Sequence, residues 1–435
     1  MAQKKYQVLV AGGGPGGCAA AVAAGRLGAR VLLIERYGFL GGMATAGLVN
    51  PFMPYAIEGK PIIEGLFGEI LEQLSARGGL HENAATFDEE VLKVVLDDMV
   101  TAAGCEVLFH AWLADVEVED ARVKAVEVET KSGRLTFEAD IFIDGTGDGD
   151  LAARAGAPVE YGRTEDGLAQ PMTLCFRVGG VATERMPDRE EINRLYREAQ
   201  VRGEIDCPRD NLLWFPSVHP GFIHFNTTRV IKRRAVDAWD VTAAELEGRR
   251  QMHQVVAFLR KHVAGFENAY LSHSAAQIGV RESRRIIGDY VLTEDDVLSA
   301  RKFDDGICRG NYPLDIHNPA GSGTVIKRLP PGTSYEIPYR SLLPRGLVNV
   351  LVASRCLSAT HEAHGSLRIM PIVIAVGEAA GTAGAICTKE GLAPRELEPE
   401  ALRKQLRRQG ANLRREEPAS RSAPRSHVRD PGKES

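Results

Sequence analysis

Apolar positions gather early in the chain. Tyr6 to Ala11 is apolar and β-prone, short enough for a buried strand. It runs into Gly12-Gly13-Gly14-Pro15-Gly16-Gly17, then into an Ala-rich stretch that predicts a helix from about Cys18 to Leu27, with Gly28 as its stop. A second apolar strand, Arg30 to Ile34, ends on the acid Glu35. Amphipathic spacing predicts helices over 62–79 and 87–103. Residues 106–129 alternate, which predicts two or three strands with a turn at Glu119-Asp120. Phe137 to Ile143 is another apolar strand, ending in Asp144-Gly145-Thr146-Gly147-Asp148-Gly149-Asp150 before a small-residue helix.

From 160 to 345 the texture changes. Strand-like MTLCFRVGG and GFIHFNTTRV alternate with loops, a helix is predicted over 242–262, and 302–334 is polar with Pro and Gly. Arg281, Arg284 and Arg285 show a helix-like charge pattern, which predicts a solvated or salt-bridged face. At Leu347 the first texture returns. Val348 to Ala353 predicts a strand, and Pro371 suits the first position of a long helix. Gly377, Ala379, Ala380, Gly381, Ala383 and Gly384 leave that helix almost without bulk, so something large must pack against it. The expected architecture is α/β. A discontinuous first domain (1–160 and 346–395) is expected to have a central parallel sheet. An α+β substrate or cap domain is inserted at 161–345. The Arg/Ser/Pro/Glu-rich tail, 411–435, is expected to be disordered.

Composition narrows the function. The 435 residues are 44% hydrophobic and 26% charged, enough core for more than one domain. A net charge of −5 leaves no basic footprint, so nucleic acid is not an expected partner. Seven scattered cysteines without a CxxC pair argue against a zinc ribbon and a redox-active dithiol, and no metal site is expected. An odd, dispersed set suits a reducing compartment. MAQKK meets the first strand without a hydrophobic signal segment, and no apolar stretch reads as membrane-spanning. A cytoplasmic protein with no membrane partner is expected.

The glycine turn carries the sharpest chemistry. Gly12, Gly14 and Gly17 complete G-x-G-x-x-G between a strand and a helix, with an acid at the end of the next strand. Gly12 permits the tight turn, Gly14 lets a pyrophosphate approach the backbone, and Gly17 lets the helix lie close to the sheet. The helix N-terminus, entered through Pro15 and Gly16, offers unpaired N–H groups to phosphates. Glu35 can accept hydrogen bonds from both ribose hydroxyls and would repel a 2′-phosphate.

Together these pieces resemble the glutathione-reductase-like flavoproteins with two dinucleotide-binding domains. More closely, the chain is similar to the FAD-dependent oxidoreductase family. The resemblance rests on VLVAGGGPGGCAAAVAAGRLGARVLLIER, GFLGGMATAGLVNPF, FIDGTGDGDLAARAGA, IGVRESRRIIGDYVLTEDD and NVLVASRCLSATHEAHGSLRIMPIVIAVGEAAGTAGAI, from about residue 6 to 390. It implies a Rossmann-like FAD-binding domain with a β-meander, and FAD as cofactor; nothing in the sequence selects a histidine for covalent attachment, so noncovalent FAD is expected. It implies that Arg36 lies near the adenine and that Leu113 contacts it through the backbone. Gly42, Met43, Ala44 and Thr45 would run along the pyrophosphate and ribityl chain. Thr146, Gly147 and Asp148 would flank the phosphates. Glu378 stands where wider relatives carry an Asp facing ribityl or pyrophosphate, a departure from their pattern.

The helix after Pro371 adds an electrostatic argument. Reduced flavin carries negative charge around N1 and the C2 carbonyl, and a helix N-terminus stabilises it. Backbone groups of Pro371, Ile372 and Val373 are therefore candidates for the isoalloxazine contact. Arg355, His361, His364 and Arg368 lie in the loop feeding that helix and are the candidate catalytic residues, able to raise the flavin potential or pin an anionic substrate. Arg368 paired with Glu362 or Glu378, and either histidine as a structural residue, are the competing readings. His364-Gly365-Ser366-Leu367-Arg368 also resembles the His-Gly-x-x-Arg stretch of fumarate reductase flavoproteins. No second complete G-x-G-x-x-G follows a strand. Electrons are thus expected directly from a small-molecule substrate, or from contact with NAD(P)H or a protein donor or acceptor. Two other readings share the cradle: an FAD-holding sensor or assembly protein without turnover, and an NAD-dependent enzyme.

Overall fold

The computed structural model describes residues 5–413. Strand β1 (Lys5–Ala11) is buried from Val8 onward and leads through the glycine turn into helix α1 (Pro15–Arg26) and strand β2 (Val31–Ile34). Helix α1 begins three residues earlier than the Ala-rich pattern suggests, because Pro15 already has the backbone angle of a helix start. Helices α2 (Leu66–Ala76) and α3 (Glu89–Ala102) follow, each with one buried apolar stripe. Next come β3 (Glu106–Leu108), β4 (Trp112–Glu119), β5 (Arg122–Thr130) and β6 (Gly133–Asp144). β1 pairs in parallel with β2 and β6, and β3 extends the sheet beyond β2.

β6 serves two layers. Its first half pairs antiparallel with β5, and β5 with β4, forming the meander. Its second half, buried from Ile141 to Asp144, pairs in parallel with β1 and with a late strand, Val350–Val352. The alternating and continuous apolar patterns of the sequence are these two halves. Helix α4 (Asp150–Arg154) follows β6.

The region after α4 carries its own antiparallel sheet. β7 (Phe176–Gly179), α5 (Arg189–Val201), β8 (Trp214–Pro216), β9 (Ile223–Phe225), α6 (Ala238–His262) and β10 (Tyr270–Ser274) give the strand order β8-β9-β7-β10. Helix α6 starts before the predicted 242 because the Asp237 side chain caps the N–H groups of Trp239 and Asp240. A buried ion pair joins this sheet to α3: Arg177 of β7 donates through Nε to Glu89 at 3.0 Å, and His273 of β10 holds the same carboxylate at 3.0 Å.

Three corrections follow. Arg284–Ile286 is a strand paired with Val159–Tyr161, so Arg281, Arg284 and Arg285 do not share a helix face. The hairpin β11 (Leu314–His317) and β12 (Thr324–Lys327) lies within the stretch read only as polar. After β13 (Val350–Val352) and α7 (His361–Leu367) comes the bulk-free helix α8 (Met370–Glu390), and its partner is α1. A Cβ at Gly377 would lie 2.1 Å from the Gly16 carbonyl oxygen, and one at Gly381 2.0 Å from that of Ala20. The two backbones touch, and that contact consumes the small-residue face. By length and composition α8 is the one helix among the described residues able to cross a membrane, but 89% of its apolar window is buried inside the protein. Asn412 donates to the Pro61 carbonyl at 2.9 Å, so the tail's first residues pack on the protein; 414–435 lie outside the described residues.

Candidate functional site

One cavity of about 540 Å³ runs from the glycine turn, past the start of α8, into the region of β7–β12. At the turn its wall is main chain. Gly12 has φ +94°, and a Cβ there would sit 2.7 Å from the Gly145 carbonyl, so only glycine fits. A Cβ at Gly14 would meet only the Gly145 oxygen at 3.7 Å, so that space opens to the cavity. Pro15 and Gly16 also line it, whereas Gly17 faces back onto the Gly12 carbonyl, 1.8 Å from where its Cβ would be. Gly14 caps α1 without any side-chain hydrogen bond, which leaves the first-turn N–H groups available to an anion.

Glu35 lies on the wall beside this turn, 5% exposed. Its Oε2 accepts from Gly13 N at 2.7 Å and its Oε1 from Tyr37 N at 2.9 Å. The acid therefore also braces the turn, and burial pushes its carboxyl up. Arg36 stacks over Trp112, 5.2 Å from the ring centroid, and donates to Gln277; Leu113 is next on the wall. These side chains form the outer end, fit for a base and its ribose.

Directly against the glycine turn stands the turn after β6. The wholly buried Asp144 accepts from Thr146 N at 3.0 Å, Thr146 Oγ1 at 2.7 Å and Ala152 N at 2.9 Å. It shapes a loop whose Thr146, Gly147 and Asp148 line the cavity. Arg355 crosses the cavity wall to Asp148, Nη2–Oδ1 2.6 Å, and has no partner at its buried Nε. Gly42 and Met43 are on the wall. Ala44 and Thr45 are not; the Thr45 hydroxyl is turned to the Leu40 carbonyl at 2.6 Å.

Several expected site residues lie elsewhere. Pro371 and Ile372 are off the wall, and Ile369, Met370 and Val373 take the cavity side of the α8 start. Pro371 has no N–H, and Val373 N–H is spent on the Ile369 carbonyl at 3.0 Å. Glu378 is 1% exposed and off the wall; its Oε2 accepts from Leu66 N at 3.0 Å, capping α2. No ion pair reaches it among the described residues, and burial raises its carboxyl to about 7. His361 is tied through Nδ1 to the buried Glu282 at 2.9 Å. His364 is 1% exposed, with no partner at Nδ1, and burial holds its ring well below the usual histidine value. Neither histidine reaches the cavity.

The inner end brings Arg368, an expected site residue, together with residues that the sequence did not assign to a site. Arg368 is on the wall, paired with Asp315 at 3.2 Å rather than with Glu362 or Glu378. Tyr312 O–H donates to the same Asp315 carboxylate at 3.1 Å, and His317 Nε2 lies 3.4 Å from it. Burial works against the Asp315 charge, but His317, Arg368 and Arg281 together hold its carboxyl well below the usual range. His317 accepts at Nδ1 from Arg229, 3.0 Å, and burial lowers it to about 3, so it stays neutral. Arg209 and Arg281 complete this end. Nothing in a lone arginine in a loop, or in Ile278-Gly279-Val280-Arg281, marks it for a cavity.

The donor set at the outer end fits a dinucleotide: a glycine turn open at Gly14, an uncapped helix N-terminus, an acid for a ribose, and an apolar and cationic cleft for a base. A family model for FAD dependent oxidoreductases matches residues 7–406. Solved structures with similar folds include a geranylgeranyl bacteriochlorophyll reductase-like protein from Thermoplasma acidophilum. It is 12% identical over 93% of this chain and 84% of its own, with a TM-score of 0.48. The p-nitrophenol 4-monooxygenase PnpA of Pseudomonas putida DLL-E4 is 13% identical over 90% and 82%, TM-score 0.46. The myxobacterial chondrochloren halogenase CndH is 13% identical over 93% and 79%, TM-score 0.46. The chain belongs to the FAD dependent oxidoreductase family and is an enzyme with FAD as its cofactor.

Proposed function

We propose that this enzyme transfers a hydride between FAD and a small organic substrate held at the inner end of the cavity. The continuity of the cavity carries the reading: one chamber joins the glycine turn, the α8 start and the Arg281–Asp315 end. When bound, FAD supplies hydride chemistry at N5. Gly12, Gly14, Gly16 and the α1 N-terminus would hold its pyrophosphate, and Glu35 a ribose. Thr146, Gly147 and Asp148 would line its path. The α8 N-terminus, which no side chain caps, would bring partial positive charge to the ring.

At the inner end the arginines and the Asp315 carboxylate are charged, while Tyr312 and His317 are neutral. Tyr312 holds its proton against Asp315, and burial raises that phenol well above its ordinary value. His317, accepting at Nδ1, holds its proton at Nε2. Arg355 is fixed by Asp148. The substrate is the electron source or sink, with NAD(P)H or a protein partner completing the cycle in the cytoplasm. The seven cysteines, all free and buried, suit that compartment.

The test is anaerobic reduction of the bound flavin by hydroxy acids, amino acids, unsaturated acids with a reductant, and NAD(P)H. Bleaching by one organic class with reoxidation by an acceptor supports the reading. A flavin that no donor reduces, while dithionite does, overturns it.

A further inference from the structure

The inner end of the cavity contains more buried positive charge than the protein itself neutralises. Arg209 is 5% exposed and Arg229 2% exposed. Arg281 is enclosed by protein except where it faces the cavity. No carboxylate lies within ion-pair distance of any of the three among the described residues. Arg281 donates to the Pro171 carbonyl at 2.8 Å, to Thr173 Oγ1 and to Asn226 Oδ1 at 3.2 Å, all neutral acceptors. Arg229 donates to the carbonyls of Gly321 and Gly323 and to neutral His317. Arg209 donates through Nε to the Asn211 carbonyl at 3.1 Å, and its buried Nη1 has no partner. The acid on this wall, Asp315, is already engaged by Arg368, Tyr312 and His317. The exposed Asp210 offsets only part of the charge on Arg229.

Guanidinium groups stay charged at any ordinary pH, so their burial without a counter-ion is costly. Burial and neighbouring cations lower both Arg209 and Arg281: Arg229 acts on Arg209, while Arg368 and then Arg209 act on Arg281, which falls to about 9. The same end also has apolar wall from Leu213, Phe215 and Ile326.

We propose that Arg209 and Arg281 form the anion subsite for the substrate, and that the substrate is a carboxylic acid with an apolar body. The carboxylate supplies the missing counter-ion, and the body lies on Leu213, Phe215 and Ile326. The proposal rests on the reading of this cavity as the substrate chamber.

The test is calorimetric titration of the FAD-loaded protein with benzoate and hexanoate, against benzamide and hexanamide as neutral matches. At least one carboxylate binds about tenfold or more tightly than its amide, and Arg281→Gln and Arg209→Gln each weaken it by a similar factor. Arg281→Lys restores part of the loss. Carboxylates that bind no better than amides, or that show no heat at about 10 mM, overturn the proposal. So does undiminished binding to Arg281→Gln. The wild-type comparison decides the matter even where a variant does not fold. Flavin content is read separately from the absorption spectrum. Yellow protein indifferent to carboxylates defeats this inference alone, and protein that loads no FAD defeats the cofactor assignment first.

Discussion

The two ends of the cavity are built from different materials. Around the glycine turn of the outer end the wall is main chain: glycines at 12, 14 and 16, the uncapped start of α1, and the loop shaped by Asp144, with side chains only beyond it at Glu35, Arg36 and Trp112. At the inner end it is side chains drawn from separate segments, Arg209, Asn226, Arg281, Tyr312, Asp315, His317 and Arg368. Two buried acids also differ in kind. Glu378, off the cavity at the start of α2, meets only a backbone N–H and is pushed up to about 7. Asp315, at the inner end, sits among cations and is held well below its ordinary value. A site made of backbone depends on the absence of side chains. A site made of side chains depends on charge balance.

The glycine end gives the largest expected effect. A Cβ at Gly16 would lie 1.8 Å from the Ala353 carbonyl, so Gly16→Ala forces α1 away from the strand–loop junction. It should destabilise the protein by about 4 kcal/mol, read from urea unfolding. Gly14→Ala has room in the fold and should leave the apoprotein's unfolding midpoint nearly unchanged while FAD retention on gel filtration is lost. Equal damage from both substitutions would erase the distinction between structural and ligand-facing glycines.

Asp315→Asn probes the charged end. It strips Arg368 of its ion-pair partner and should cost about 3 kcal/mol at neutral pH, with Arg368→Gln in the double variant recovering much of it. The Asp315 carboxyl is depressed on folding, so its stabilising effect is present above its unfolded pKa and is lost as pH falls through the native value. Glu378 has the opposite sign. Its native carboxyl keeps a proton that the unfolded chain gives up at lower pH, so stability falls as pH rises from the ordinary Glu value to about 7. Glu378→Gln should therefore gain about 2 kcal/mol at pH ~8 and nothing at pH ~4, by urea midpoints at the two pH values. A gain at both pH values would show that packing, not ionisation, is responsible. The smallest change is Glu35→Gln, which keeps an acceptor for Gly13 but loses a charged one for ribose; FAD binding should weaken about tenfold by flavin fluorescence titration.

The histidines of the loop before α8 show how far linear proximity misleads. His361, His364 and Arg368 are neighbours in the chain, but only Arg368 turns to the cavity; helix α7 carries both histidines to the buried side, His361 onto Glu282. In the same way Pro371 and Ile372 are adjacent to Met370 and Val373, yet helical rotation puts only the latter pair on the wall. Arg281 was legible as a charge and not as a wall residue, because its loop follows no periodic element.

By itself, the sequence determined the βαβ cradle, the meander, the bulk-free helix and hence the family. Those features are written in local rules: glycine where a Cβ would collide, apolar runs where both faces are covered, an acid at a strand end. Only the tertiary structure decided what faces the far end of the cavity. Side chains from distant segments meet there, and their charges acquire meaning only when burial removes water and shows which of them lack a partner.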